Sequence, residues 1–125
     1  MGYSWTDTQT KYVDVKEEEK KARIEAVVIP SSAETNKWYD FAVSVHVDSG
    51  TFKPACGVCN SQDSPGNIKI KTRDGKEHIL TPGKILISVC PYEKDPCGNF
   101  GILGAKILFT KPGKYKIVIY AGYPT

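Results

Sequence analysis

Four cysteines carry the most chemistry in this chain by type and spacing. Cys56 and Cys59 stand as Cys-Gly-Val-Cys, while Cys90 and Cys97 bracket Pro-Tyr-Glu-Lys-Asp-Pro. Each pair sits in or beside a stretch rich in Gly, Pro, Cys or Asn, 51–66 and 91–101, that reads as a long loop. Three readings compete. Two structural disulfides would staple these loops, each contributing roughly 2–4 kcal/mol, and would need an oxidising compartment or a hyperthermophilic cytosol. A structural zinc site would use all four thiolates, Cys56, Cys59, Cys90 and Cys97. Its first half-site is a regular Cys-x-x-Cys knuckle, but its second has six residues between the cysteines instead of two. A redox-active Cys56–Cys59 pair would need a helix N-terminus to lower the thiol pKa, and 60–66 reads as loop. Disulfides are preferred slightly over zinc, and both over redox chemistry. Spacing does not give the connectivity.

The remaining candidates for chemistry are weaker. His46 and His78 are the only two histidines, and both read as surface residues. No Gly-x-Ser-x-Gly elbow is present. The run Gly98–Gly104 lacks the Gly-Lys-Ser/Thr ending of a phosphate loop. Glu17, Glu18 and Glu19 are adjacent carboxylates in a charge run and do not converge on one calcium ion. No acid–base or metal-catalytic set emerges, so the sequence points away from an enzyme and from a bound cofactor, with structural zinc as the alternative.

These residues must be positioned by strands. Tyr39, Phe41, Val43, Val45 and Val47 alternate with Asp40, Ala42, Ser44, His46 and Asp48, the period of a strand with one face in a core. Ile24–Ile29 reads as a strand stopped by Pro30. Ile68 and Ile70 alternate again, Arg73-Asp74-Gly75-Lys76 reads as a hairpin turn, and Ile79-Leu80 lie on the return strand. Thr81-Pro82-Gly83 turns the chain. Ile85, Ile87 and Val89 are expected to share one face of the next strand. Ala105, Ile107 and Phe109, then Tyr115, Ile117 and Ile119, form the last two alternating runs around Lys111-Pro112-Gly113. No helical period is sustained. The expectation is an all-β, immunoglobulin-like antiparallel sandwich of seven or eight strands over 23–125. An N-terminal arm over 1–22 precedes it, with an edge strand possible at Tyr12, Val13 and Val15.

Three of these features also carry a resemblance. Ile24–Pro30 followed by the long strand Trp38–Gly50, the turn Leu80-Thr81-Pro82-Gly83, and the final Pro112-Gly113-Lys114-Tyr115 with Ile117–Ile119 resemble the CARDB-type immunoglobulin-like domains of bacterial and archaeal surface proteins. The resemblance spans roughly three quarters of the chain. It implies the sandwich fold, and it is silent on the cysteines. Superoxide reductases also use an immunoglobulin-like sandwich, but their iron needs several imidazoles and a thiolate, which two histidines cannot supply.

Composition narrows the partners. Seventeen Lys and Arg against 14 Asp and Glu give a net charge of +3 over 125 residues, too mild for nucleic acid. No apolar run approaches the roughly 20 residues that span a bilayer, and the N-terminus does not read as a signal peptide. Few Asn, Gln and Met beside abundant Lys, Glu and Ile fit a thermophile. Aromatics gather in the arm (Tyr3, Trp5, Tyr12) and near the C-terminus (Tyr120, Tyr123). They are expected to cover their own sandwich, with docking on a neighbour as the alternative. The functional expectation is a non-enzymatic structural or protein-interaction module in a surface, filament or virion assembly, acting through a protein partner or self-assembly. A small cysteine-based metal or thiol redox protein is the alternative. Compartment is open, with the cell exterior or a virion favoured if the cysteines are bridged.

Overall fold

Branched and aromatic side chains at alternate positions build eight strands in the computed structural model, which describes residues 4–14, 22–47, 55–89 and 104–122. The strands are β1 (Ala22–Val28), β2 (Trp38–Val47), β3 (Ala55–Asn60), β4 (Ile68–Lys71), β5 (Glu77–Leu80), β6 (Lys84–Ile87), β7 (Ala105–Phe109) and β8 (Ile117–Gly122). No helix occurs among the described residues. A five-stranded sheet runs β1-β2-β7-β4-β5 and a three-stranded sheet runs β6-β3-β8, every pairing antiparallel. The chain is therefore an all-β sandwich. β1 approaches β8 at one side of it and β5 approaches β6 at the other.

The core lies between the sheets. Phe41, Val43 and Val45 of β2 meet Ile68 and Ile70 of β4 and Ile107 of β7 on the larger sheet, facing Cys56 and Val58 of β3. Register explains the sharing: Phe41 is opposite Ala105, and Ile70 is opposite Ile107, so each row presents apolar groups inward. The alternation expected along β2 is met at Phe41, Val43 and Val45, but Ala42 and Ser44 are buried as well.

The β4–β5 hairpin forms as its turn residues require. Gly75 sits at φ 87°, the Thr72 and Gly75 amides close the turn, and Asp74 accepts from the Thr72 hydroxyl and the Lys76 amide.

Three expectations need correction. The Cys-Gly-Val-Cys run is not loop but the middle of β3. Its composition is loop-like, yet Cys56, Val58 and Asn60 point inward as a buried series, and pairing with strands on both sides overrides propensity. Ile85, Ile87 and Val89 do not share a face. Ser88 adopts φ 76°, which breaks the alternation, so Val89 turns into the core while Ile85 and Ile87 are both 58% exposed. Tyr12 and Val13 join no strand: residues 4–14 run as exposed coil. Val15 lies outside the described residues.

Candidate interaction surface

Successive side chains of a strand leave on opposite faces, so residues three apart also point oppositely. Cys56 is accordingly buried in the core, while Cys59 faces outward and is half-buried. Three residues of strand separate their Cα atoms by about 10 Å. β3 thus presents its thiols to two different environments and not as the two jaws of one knuckle. Cys90 and Cys97 lie outside the described residues, so neither the two bridges nor the four-thiolate site is traced here. Among the described residues no three His, Cys, Asp or Glu side chains converge on one point. His46 stands on β2 with Nδ1 3.9 Å from Glu25 Oε1 on β1, and His78 stands on β5, far along the sheet order from it.

The two outer faces of the sandwich differ in kind. Across the larger sheet, register places Asp40, Lys106, Lys71 and Glu77 in one row over β2, β7, β4 and β5. Lys106 pairs with Asp40, Lys71 lies 3.6 Å from Glu77, and the Lys71 ammonium sits 4.7 Å from the centre of the Trp38 ring. This row is the solvated strip that the interleaved lysines and carboxylates suggest, while the next row on the same face, Trp38, Leu108, Lys69 and Ile79, holds one charge. Such exposed pairs are worth only about 0–1 kcal/mol each, but they keep that strip wet.

The outer face of the smaller sheet carries no charge in its strand rows. Ile87, Gly57 and Tyr120 form one row across β6, β3 and β8, and Ile85, Cys59 and Val118 form the next. Ile85, Ile87, Val118 and Tyr120 are all exposed. Single exposed apolar residues are ordinary, whereas a contiguous apolar patch marks an interaction surface.

Beside this sheet a cleft of about 980 Å³ opens where β1 and β8 flank the same side of the sandwich. Its floor is apolar, with Ile29, Phe109, Tyr115, Ile117 and Ile119. Its walls are the β1–β2 connection over 30–35 and the β7–β8 turn over 111–114. Local bonds fix both walls. The Tyr115 hydroxyl donates to the Lys111 carbonyl at 2.7 Å, and the Glu34 amide donates to the Tyr39 hydroxyl at 2.7 Å. The Asn36 amide, on a residue at φ 60°, donates to the Phe109 carbonyl at 2.8 Å.

Compared with family profiles, curated proteins and solved structures, the chain matches none.

Sequence reasoning missed this surface for an identifiable reason. Ile85, Ile87 and Val89 are expected on one face of a strand, and nothing in that strand itself marks Ile85 and Ile87 as outward. The signal lay in Gly57: a glycine inside a run of apolar residues leaves room for a neighbouring ring, and Tyr120 fills it. No helix among the described residues is long and apolar enough to cross a membrane.

Proposed function

We propose that this domain is a non-enzymatic structural or protein-interaction module, a building block of a surface, filament or virion assembly. The observation that carries the reading is the contrast between the two outer faces. The charged row Asp40–Lys106–Lys71–Glu77 suits water, and the uncharged rows around Gly57 and Cys59 suit a protein partner. The resemblance to CARDB-type domains points the same way, since those modules belong to surface proteins. A partner of this kind is a protein rather than nucleic acid, a reading supported by the small net charge of +3.

The test is sedimentation of the full chain beside the double variant Ile85→Lys, Ile87→Lys. Both side chains are more than half exposed, so the variant keeps its core. The expected result is association of the native chain that the variant loses. Turnover of a hydrolase or redox substrate that disappears on mutating a named residue overturns the reading. A cysteine-based metal or thiol protein, the competing reading, is met by native and denatured mass spectra. A metal lost on denaturation together with four free thiols would establish that reading in place of this one.

A further inference from the structure

Every sheet that ends in an open strand offers unpaired backbone groups to another chain, and proteins normally blunt such edges with charge, proline, bulges or brevity. This sandwich has four edges: β1, β5, β6 and β8. β1 carries Arg23 and Glu25, is broken by a register shift between Ile24 and Ala26, and runs into Pro30. β5 and β6 have four residues each. β8 has six residues, Ile-Val-Ile-Tyr-Ala-Gly, with no charge, no proline and no bulge in its ladder to β3. Among the described residues β1 approaches this side of the sandwich, as β5 approaches β6, but no strand pairs with the outer side of β8. The apolar cleft opens along the first half of that edge, where Ile117 and Ile119 line its floor.

The same chain holds a segment that matches this groove and is not seated in it. Residues 4–14 are coil, with Tyr12 93% and Val13 81% exposed. The self-covering expected for these aromatics is therefore not made by Tyr12. Thr6, Thr8, Thr10 and Tyr12 alternate, a pattern of strand formers. Extended, these 11 residues reach about 35 Å, enough to follow β8 and enter the cleft beyond it. Asp7, Lys11 and Asp14 give the arm charges of both signs, as Lys111, Lys114 and Glu34 give the cleft walls.

We propose that the N-terminal arm of one copy adds as a strand to the outer edge of β8 of a second copy, seating Tyr12 over the apolar cleft. Main-chain bonds to β8 give the arm its hold, and the cleft reads its side chains, as in other strand-addition contacts. Because arm and groove are different surfaces, the contact is heterologous and propagates into chains unless it closes on itself. This deepens the assembly reading above and rests on it.

The test compares the full chain with two full-chain variants by native mass spectrometry over a range of concentrations. One variant is Tyr12→Glu with Val13→Glu; both positions are so exposed that folding is untouched. The other is Val118→Lys on β8. The native chain is expected to form dimers or longer species, and both variants to stay monomeric. Hydrogen exchange is expected to slow at outward-facing amides of 117–122 in the native chain relative to the arm variant. A native chain that stays monomeric throughout overturns the proposal. So does an arm variant that associates as well as the native chain. An arm variant that associates while the Ile85→Lys, Ile87→Lys variant does not leaves the module reading intact, whereas a native chain that stays monomeric removes the association expected of both.

Discussion

The phenol of Tyr120 occupies the space that a side chain on Gly57 would need: a Cβ built there lies 2.0 Å from Tyr120 Cζ. The two residues are direct cross-strand partners, β3 to β8. The ring thus shields a stretch of bare backbone that glycine leaves open, while Ile87 flanks it from β6. Gly57→Ala is expected to push the ring toward solvent. Tyr120 is already partly exposed, so the ring has room to swing. The stability change should stay within about 1 kcal/mol, the gain from replacing glycine offsetting lost contact. Site-mapped tyrosine iodination should rise at Tyr120, and the urea midpoint should hardly move. A large loss of stability would mean that the ring is locked in place.

Asn60 makes a joint in the core. It is fully buried, and its carboxamide N–H groups donate to the Gly66 carbonyl at 3.1 Å and the Leu80 carbonyl at 2.9 Å. It thereby ties the end of β3 to the approach of β4 and the end of β5. Asn60→Leu strands two buried acceptors and is expected to cost about 2–4 kcal/mol in denaturant unfolding. Asn60→Asp should cost more at neutral pH, because an ionised carboxylate cannot donate and would face two carbonyl oxygens. Its protonated form recovers one bond, so the variant's deficit should shrink as pH falls.

Asp74 behaves oppositely. Its carboxyl is held below its ordinary 3.8, chiefly by the Thr72 hydroxyl and then by the Lys76 amide, with smaller attraction from Lys76 and His78. A carboxyl depressed by folding stabilises the fold above its unfolded pKa, and that contribution disappears as pH falls through the folded value. The window is therefore the region below 3.8. An NMR titration should place the Asp74 midpoint there. Thr72→Val should move the midpoint up toward the ordinary value, and Asp74→Asn should remove this part of the acid response.

Legibility followed the strength of local signals. β2, β4, β7 and β8 were readable because Phe41, Ile70, Ile107 and Ile119 sit in period-two runs bounded by turn residues, and Asp74-Gly75 marked its hairpin. β3 was hidden because Cys-Gly-Val-Cys lacks strand propensity and owes its conformation to β6 and β8 on either side. The fate of Ile85 and Ile87 was hidden for a different reason. A single positive φ at Ser88 sends Val89 to the side opposite Ile85 and Ile87, and no residue type announces it, since serine is not the glycine that such a φ usually calls for. The interaction surface inherits both blind spots, because its rows run through β3 and β6.

The cysteines give the last prediction. Cys59 lies half-buried on the outer face, between Ile85 and Val118, whereas Cys56 is 1% exposed among core residues. Thiol reactivity follows access as well as thiolate character. In reduced, folded protein an alkylating reagent should therefore modify Cys59 promptly and Cys56 only at the rate of opening. Urea should abolish the difference. Oxidation should not link Cys56 to Cys59, because a disulfide needs Cα atoms within about 7 Å and this strand holds them about 10 Å apart. Peptide mapping of the oxidised protein is expected to recover no Cys56–Cys59 link. Recovery of a Cys56–Cys59 peptide instead would mean that β3 does not run as a strand through this pair.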